Sequence, residues 1–318
     1  MVSLKGRKIL LIGGTGFIGL HLAKRLLELG SDVAIFGKNE AKKGKLDFRN
    51  KINFIKGDVV DYKAIEKSVK NKDAIINLAA VVQDYSEFDP YLDLEVNCKG
   101  QLNILEARKR INQKAKYIFM GSRTQFGRVN EKDLPVHEDL CQRPISLYGI
   151  HKSTAENYCS LYKMAFNLKS IILRLPQVYG PSLAGKNAHS IVDRFIRKAL
   201  INGEFGVNGY GKDIKDLIYV EDVVDLMVRV LESEIEEGAF NVGSGKKVKL
   251  IEIAEKIVKL CGSGSFRAVP FPEELVNFEL GGFYFDISKA KKAFNWSPKI
   301  KIEEGLKKTI DFYRNKGG

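Results

Sequence analysis

Cysteine is scarce in this chain, and its spacing does not suit a metal site. The four cysteines form no CxxC pair and stand far apart: Cys98, Cys141, Cys159 and Cys261. Zinc ribbons bind their metal through closely spaced cysteine pairs, so this spacing excludes that class. Small secreted domains depend on dense disulfides, and four scattered cysteines argue against such a domain.

Long hydrophobic runs are also missing. Nowhere do about 18 uncharged apolar residues follow one another, which is the length that a transmembrane helix needs. No apolar signal segment separates Met1 from the first folded motif. We therefore expect a cytoplasmic protein with no membrane partner.

Proline is infrequent, with eight residues, whereas 44% of the chain is hydrophobic and 29% is charged. This composition excludes a disordered, collagen-like or low-complexity chain. A length of 318 residues is enough for two domains of about 150 residues each.

Acidic residues are fewer than basic ones: the chain has 39 Asp and Glu and 52 Lys and Arg, which gives a net charge of +13. An excess of this sign fits an anionic partner such as nucleic acid, a membrane surface or a phosphorylated small molecule. A solvated, lysine-rich surface gives the same number without any partner. Composition alone leaves both explanations open.

Short apolar runs alternate with amphipathic stretches from the start of the chain. This alternation is typical of an α/β fold with a doubly wound parallel sheet, whose ligands bind at the carboxyl ends of the strands. The predicted strands are Lys8–Ile12, Asp32–Phe36, Ile52–Lys56, Ala74–Leu78, Tyr117–Met120, Lys169–Leu173 and Asp216–Tyr219. The predicted helices are Phe17–Leu29, Asp61–Val69, Pro90–Ile111, Ser146–Phe166, Ser190–Ile201, Glu221–Leu231, Leu250–Leu260 and Glu303–Arg314.

The regular alternation weakens after Pro176, where stretches rich in glycine appear, among them Val178–Asn187 and Asn202–Lys212. We predict a dinucleotide-binding domain over residues 1–175, with residues 214–232 returning to it. A smaller α/β lobe over residues 176–318 is predicted to bind the substrate.

The first strand runs directly into a glycine-rich turn, Gly13–Gly19. A turn that opens a helix in this way places free backbone N–H groups and the positive end of the helix dipole against an anion. Gly13 permits a tight turn, Gly16 permits close approach of a diphosphate, and Gly19 lets the helix pack on the strand. The turn therefore predicts a dinucleotide site.

The GxxGxxG spacing, together with Lys56–Val59, Asn77–Ala80 and Val96–Gly100, resembles the extended short-chain dehydrogenase/reductases. This is the NAD(P)-dependent epimerase/dehydratase family, and the pattern is like that of UDP-glucose 4-epimerases. The resemblance covers nearly the whole chain and implies a Rossmann-type fold, with Asp58 holding the adenine amine. It implies that the cofactor contacts Gly13, Thr15, Gly16, Phe17, Ile18, Gly19, Asp58, Val59, Leu78, Ala79, Ala80, Asn97, Tyr148 and Lys152.

The choice between NAD and NADP depends on the end of the second strand. An acid there would bind the ribose 2′-OH and repel a 2′-phosphate. Gly37 occupies that position and Lys38 follows, although Glu40 could substitute for the missing acid. We favour NADP, with Lys38 and either Lys42 or Lys43 beside the 2′-phosphate, and NAD stays open.

Tyr148 and Lys152 are four residues apart on a predicted helix, so their side chains share one face. A tyrosine with a pKa near 10 is a poor base at neutral pH, and a shift of about 3 units is needed to change that. An ammonium one turn away and the positive nicotinamide ring are suitable charges for that shift. We predict Tyr148 as the acid/base, with Lys152 tuning it and holding the nicotinamide ribose.

Ser122 follows the fifth strand and resembles the family's Ser/Thr that orients the reacting sugar oxygen. The family's 4,6-dehydratases have Asp and Glu at the next two positions, whereas this chain has Arg123 and Thr124. Neither residue can act as that acid/base pair, so dehydration is disfavoured. We predict that the sugar contacts Ser122, Arg123, Thr124 and Tyr148.

The C-terminal lobe resembles the family's substrate-binding segments, with two departures. Gln177 stands where an asparagine contacts the substrate diphosphate, and Lys215 replaces a phosphate-binding arginine, which loses the bidentate fork. A second arginine of the family is not evident between Phe271 and Phe285. Gln177 and Lys215 are the predicted diphosphate contacts.

The resulting prediction is an NDP-sugar 4-epimerase that works through a transient 4-keto sugar with a tightly bound nicotinamide cofactor. An NADPH-dependent 4-keto-sugar-nucleotide reductase is the alternative, because the second strand lacks its acid. A non-catalytic regulatory or RNA-binding protein on this fold is a further alternative, which the presence of both Tyr148 and Lys152 disfavours.

Three further expectations concern partners. The resemblance implies a homodimer built from the helices Pro90–Ile111 and Ser146–Phe166. No nucleic-acid partner is expected. The four histidines show no metal-ligand spacing, so no metal is predicted, and His151 is interpreted as a helix-face residue; the histidines are His21, His137, His151 and His189.

Overall fold

The computed structural model describes residues 2–39, 48–81, 89–183, 190–273, 276 and 279–315. The strands are β1 (Lys8–Ile12), β2 (Asp32–Gly37), β3 (Asn53–Lys56), β4 (Ala74–Asn77), β5 (Lys116–Ser122), β6 (Ile171–Leu175), β7 (Gln177–Tyr179), β8 (Glu204–Val207), β9 (Ile214–Lys215), β10 (Leu217–Tyr219), β11 (Gly238–Asn241), β12 (Val248–Lys249) and β13 (Ser265–Ala268).

The helices follow in the same numbering by chain order. They are α1 (Phe17–Glu28), α2 (Tyr62–Val69), α3 (Pro90–Asp93), α4 (Gly100–Ile111), α5 (Leu147–Phe166), α6 (Ile191–Leu200), α7 (Val220–Glu232), α8 (Leu250–Cys261), α9 (Ser288–Phe294) and α10 (Ile302–Asn315). A π-helical turn, Leu94–Lys99, joins α3 to α4.

A seven-stranded sheet forms the centre of the fold, in the order β11-β6-β5-β4-β1-β2-β3. Strands β1 to β6 pair in parallel throughout. The predicted doubly wound parallel sheet is therefore confirmed. The strand order reverses between β1 and β4, and the carboxyl ends beside this point are where such sheets bind ligands.

Continuous burial explains why these short runs form strands. Ile9 to Ile12 of β1 are fully buried, as are Ile75 and Ile76 of β4 beside them. Strands covered on both faces by helices need apolar residues at every position rather than at alternate ones. The sequence pattern therefore locates the central strands to within a few residues.

Several elements differ from the sequence-based expectation, and two of these differences lie beside predicted site residues. The predicted helix Pro90–Ile111 contains the π-helical turn in its first half. The predicted strand Asp216–Tyr219 begins one residue later, as β10, and β9 precedes it; the buried Asp216 carboxylate between them accepts hydrogen bonds from Ser244 and from the Phe285 backbone.

The chain divides into two compact units that are not continuous in sequence. The first comprises residues 1–127, 141–175 and 224–240, and it contains most of the large sheet. The second comprises residues 128–140, 176–223 and 241–318. The division into a cofactor domain and a substrate lobe at residue 175 stays a prediction.

The second unit has a core of its own around α6, α8 and α10. Phe195 of α6 stacks on Phe205 of β8, with ring centroids 4.4 Å apart, and Ile253, Ile257 and Ile310 are buried around them. Three two-stranded sheets border this core: β10-β7, β12-β9 and β13-β8. Among the described helices, none is both long and apolar enough to span a membrane.

Asp222 is a buried anchor within the second unit. Its two carboxylate oxygens accept hydrogen bonds from the backbone N–H groups of Lys299 (2.9 Å) and Ile300 (3.1 Å). Its own carbonyl accepts a bond from the Trp296 indole N–H at 3.2 Å. One side chain thus holds the segment that leads into α10.

We expect Asp222→Ala to lower the free energy of unfolding by about 3 kcal/mol, because two partly buried backbone donors lose a charged acceptor. The neighbouring Glu221→Ala removes an exposed pair with Lys308 and should change stability by less than about 1 kcal/mol. Chemical denaturation of both variants measures the difference. Equal stabilities would contradict the anchoring role of Asp222.

Candidate active site

The glycine turn after β1 passes between its two neighbouring strands. The Gly13 amide donates to the Phe36 carbonyl at 2.8 Å, and its φ of +74° lies in the left-handed region. A Cβ at Gly13 would stand 2.6 Å from the backbone of Ala79, and one at Gly19 would stand 2.5 Å from the Gly14 carbonyl. Only glycine fits at both positions, and at Gly19 the close neighbour is the turn itself rather than the strand that the sequence-based interpretation gave.

Helix α1 begins at this turn without a side-chain cap in the described part of the chain. Its N-cap residue, Gly16, has extended backbone geometry, and the first helical turn carries no acidic residue. Phe17 and Ile18 open the helix and are half-buried, with the Phe17 ring packed edge-on against His21. The Gly13, Gly14 and Gly16 amides donate to protein carbonyls, so the start of α1 offers a dinucleotide diphosphate the positive end of its helix dipole.

The ends of β2 and β3 carry the residues predicted for the adenosine half of a cofactor. The Lys38 ammonium lies 2.7 Å from the Asp58 carboxylate, and this carboxylate also accepts a bond from the Val60 amide at 3.2 Å. Thr15 lies beside Gly37. Glu40, Lys42 and Lys43 lie outside the described residues.

Val59 and the end of β4 complete this edge of the sheet. Val59 is buried against Gly100, where a Cβ would stand 2.8 Å from it. Asn77 is buried, and its side-chain oxygen accepts a bond from the Ala79 amide at 3.1 Å. This bond shapes the turn Leu78–Ala80, which the sequence predicts to pass under the cofactor.

Ser122 ends β5 and caps the 3-10 turn Arg123–Phe126. The Ser122 hydroxyl accepts bonds from the Thr124 hydroxyl at 2.9 Å and from the Thr124 amide at 3.3 Å. Thr124 is buried and Arg123 is half-buried. Thr124 therefore acts directly on Ser122, a contact that the sequence pattern did not indicate.

Helix α5 places Tyr148 and Lys152 next to Ser122. Ser146 caps the helix through a bond from the Gly149 amide at 3.1 Å. Gly149 permits close approach, because a Cβ there would stand 2.5 Å from the Thr124 carbonyl. The structure thus brings together the three residues predicted to be catalytic.

Burial strongly shifts the pKa values of Tyr148 and Lys152. Burial raises the pKa of Tyr148, a side-chain hydrogen bond with Ser122 lowers it, and the charge of Asp93 raises it. Burial lowers the pKa of Lys152 to about 8, whereas Asp93 and Cys98 raise it. Desolvation opposes the shift of Tyr148 toward neutrality that the sequence-based mechanism requires, so added positive charge would have to exceed it.

Lys152 is held from the sheet side. Its ammonium donates to the Met120 carbonyl at 2.9 Å and lies 4.9 Å from the centre of the Phe119 ring. It also lies 5.8 Å from the centre of the Tyr148 ring. These contacts fix a buried positive charge beside the tyrosine.

A buried network under the trio was missed by the sequence analysis. The Glu156 carboxylate pairs with the Arg174 guanidinium at 2.5 Å and accepts a bond from the Gln125 amide group at 2.7 Å. The Gln125 side-chain oxygen in turn accepts the Ser122 backbone N–H at 2.6 Å. The signal was present, since Tyr148, Lys152 and Glu156 follow at intervals of four and share a helix face.

The second unit contains the two residues predicted to contact the substrate diphosphate. Gln177 is half-buried in β7, opposite Leu217 of β10. The Lys215 ammonium lies 3.4 Å from the Asp213 carboxylate. Burial raises the pKa of Glu279 and the charge of Lys215 lowers it, so a second carboxyl group lies near this lysine.

Asp216, next to Lys215, organises the loop that follows β11. Its carboxylate accepts bonds from the Ser244 amide (2.8 Å), the Ser244 hydroxyl (2.6 Å) and the Phe285 amide (3.1 Å). Burial raises the pKa of Asp216 to about 6, against these hydrogen bonds, which lower it. Within the described ranges, no group of three His, Cys, Asp or Glu side chains is arranged to hold a metal ion.

Comparison with known proteins gives matches over most of the chain. Residues 9–243 match the NAD dependent epimerase/dehydratase family. The chain is 31% identical to a putative UDP-glucose 4-epimerase of Methanocaldococcus jannaschii, over 96% of this chain and 98% of that relative.

Solved structures match to a similar extent. UDP-glucose 4-epimerase of Thermotoga maritima, with UDP-glucose, is 28% identical with a TM-score of 0.87, over 97% of this chain and 99% of that one. UDP-glucose 4-epimerase of Thermus thermophilus, in complex with NAD, is 27% identical with a TM-score of 0.85, over 96% and 99%.

The resemblance inferred from the glycine turn and the Tyr148–Lys152 pair is thus confirmed by matches that span both units. The strand order around the turn is the one expected for a dinucleotide-binding sheet. The chain belongs to the NAD dependent epimerase/dehydratase family.

Proposed function

We propose that this protein is an NDP-sugar 4-epimerase that interconverts UDP-glucose and UDP-galactose or a closely similar pair. The observation that carries the proposal is the convergence of Ser122, Tyr148 and Lys152 at the sheet edge that also holds the glycine turn. Family membership and relatives described as UDP-glucose 4-epimerases support the substrate class.

In this mechanism a bound nicotinamide ring supplies reversible hydride transfer, which converts the sugar's C4 alcohol to a ketone and back. Tyr148 takes the proton of the 4-hydroxyl group and later returns it. Ser122 hydrogen-bonds the same oxygen, and its hydroxyl is oriented by Thr124. Lys152 stabilises the tyrosinate electrostatically and binds the nicotinamide ribose.

Proposed binding residues follow the sequence-based predictions. Gln177 and Lys215 hold the diphosphate of the substrate and leave the hexose free to turn, while Arg123 and Thr124 line the sugar position with Ser122. The cofactor is held by the residues named for it above, from Gly13 to Lys152. Arg123 and Thr124 supply no carboxyl group, which supports epimerisation over dehydration.

A second candidate is an NADPH-dependent 4-keto-sugar-nucleotide reductase. The observation that favours it is the end of β2, where Gly37 replaces an acid and the Lys38 ammonium follows. A reductase would use the same trio once per turnover and then exchange its cofactor. The two candidates differ in whether the reaction consumes reduced cofactor.

We expect the protein to convert UDP-glucose to UDP-galactose without added reductant and with no net change in nicotinamide absorbance. Tyr148→Phe should lower kcat by about 10³-fold, because the acid/base group is lost. Tyr158→Phe makes the same change on the same helix and should leave kcat near the wild-type value. Chromatographic analysis of the products measures the activity of the wild-type protein and of both variants.

Two results would count against epimerisation. Failure of the wild-type protein to epimerise any common NDP-hexose would remove it. Stoichiometric oxidation of NADPH on a 4-keto-sugar nucleotide would establish the reductase instead.

We propose that Lys38 contacts the 2′-phosphate of NADP, which then binds more tightly than NAD. Lys38→Ala should weaken NADP binding by about 10-fold or more and NAD binding much less, because a charge-assisted hydrogen bond to the phosphate is lost. Lys63→Ala removes an exposed lysine from α2 and is the control. Titration calorimetry gives the dissociation constants, and a tenfold wild-type preference for NAD would refute the proposal.

We also propose a homodimer formed by the helices of residues 90–111 and 147–166. Large apolar side chains are exposed on both of them, and three of those on α5 (Ile150, Leu161 and Met164) share one side of the helix. The exposed residues are Tyr91, Leu92, Leu94, Ile111, Ile150, Leu161, Met164 and Phe166. A second copy that presents the same face would cover these residues in an isologous contact.

Met164→Glu should convert the dimer to a monomer in sedimentation velocity, because it buries a charge in the apolar contact. Ile201→Glu makes the same type of change at an exposed site of the second unit and should leave the dimer intact. A monomeric wild-type protein would contradict the proposed assembly.

A further inference from the structure

A carboxylate without solvent contact lies behind the catalytic end of α5. Asp93 is the last residue of α3, directly before the π-helical turn, and it is 0% exposed. Sequence analysis assigned no role to it. A buried carboxylate is costly unless charges or donors compensate it, so its surroundings require an explanation.

Two side chains hold this carboxylate. One Asp93 oxygen lies 2.7 Å from Nδ1 of His151 and accepts a bond from the Asn97 amide group at 2.5 Å. The other oxygen has no hydrogen-bond partner among the described residues. His151 is buried as well and is the immediate neighbour of Lys152, so this contact ties the first turn of α5 to the π-helical turn.

Lys152 is only 3% exposed, yet no carboxylate lies within 4.0 Å of its ammonium in the described part of the chain. The charged or titratable groups that act on this ammonium are Asp93 and Cys98 from the segment before α4 and Tyr148 from its own helix. From β5 it meets only the Met120 carbonyl and the Phe119 ring. Asp93 is therefore the one acidic side chain in this set.

We propose that Asp93 is a positioning residue of the catalytic site. Its carboxylate, held by the His151 imidazole and the Asn97 amide, fixes the start of α5, and with it the neighbouring Lys152, against the segment that precedes α4. This inference rests on the proposed function for its catalytic meaning. Asp93 itself touches neither substrate nor cofactor in this scheme.

The charge acts on both titratable catalytic groups in the same direction. Asp93 raises the pKa of Lys152, which burial lowers to about 8, and it adds to the burial that raises the pKa of Tyr148. The Cys98 thiol contributes little negative charge near neutral pH, since burial raises its pKa to about 11. Loss of the Asp93 charge would therefore lower both pKa values.

The first test is the pH profile of kcat for UDP-glucose epimerisation. In Asp93→Asn, which keeps the shape of the side chain, both limbs of the profile should move to lower pH by about one unit. Glu95→Gln removes an exposed carboxylate two residues away and should leave both limbs in place. A profile of Asp93→Asn that superimposes on the wild-type profile overturns the proposal.

The second test needs no substrate. Because the pKa of Lys152 is below its ordinary value of 10.5, its neutral form is the one that folding favours, and the stability it contributes is lost as pH falls through about 8. Asp93 reduces that loss of stability, because its negative charge favours the protonated form of Lys152. The stability difference between wild type and Asp93→Asn should thus be larger at about pH 7 than at about pH 9, by about fivefold in the unfolding constant.

Lys152→Met serves as the background that isolates this coupling. In that background the pH dependence of the Asp93→Asn effect between about pH 7 and about pH 9 should disappear. A difference that persists unchanged without Lys152 would reduce Asp93 to a structural residue and overturn the proposal. Because unfolding is measured without turnover, failure of the proposed epimerase activity and failure of the charge coupling give different results.

A wild-type measurement covers the case in which Asp93→Asn does not fold. In the proton NMR spectrum of protein isotopically labelled at histidine, the imidazole N–H proton of His151 should lie strongly downfield, because Nδ1 of His151 donates to a buried carboxylate. The resonance should be lost in His151→Gln. Absence of such a proton from the wild-type spectrum would overturn the proposed hold of His151 on the Asp93 carboxylate.

Discussion

One carboxylate, that of Glu156, holds the catalytic trio in its arrangement. It receives hydrogen bonds from Arg174 on β6, from Gln125 in the turn after β5 and from Gln142, while its own backbone belongs to α5. An ion pair buried this deeply tolerates little displacement, because loss of one partner leaves an uncompensated charge. The helix that carries Tyr148 and the turn that carries Ser122 are therefore fixed to the sheet and to each other.

Local patterns made a large part of this predictable. The apolar run of β1, the glycine turn and the spacing of Tyr148 and Lys152 each lie within one short segment, so their geometry follows from chain stereochemistry. Contacts between distant segments carry no such signal. Asp93 and His151 are 58 residues apart, and only the fold shows that they meet. The short strands β7, β9 and β12 were missed or displaced because two or three residues have no periodicity.

The net charge of +13 has a more limited meaning once contacts are known. Both lysines assigned to ligand phosphates already face carboxylates: Lys38 faces Asp58, and Lys215 faces Asp213. A phosphate would have to share these cations rather than find them unpaired. At partly exposed sites such as these, a lysine can exchange its carboxylate partner for a phosphate, because the ion pair that it gives up is worth about 1 kcal/mol or less.

The π-helical turn Leu94–Lys99 places an unusual demand on this part of the chain. Such a turn is a regular helix that accommodates one additional residue. Deletion of a single residue here would restore regular winding and remove the widened turn that carries Asn97. The extra residue of this turn is therefore tied to the position of Asn97, whose amide group holds the buried Asp93 carboxylate.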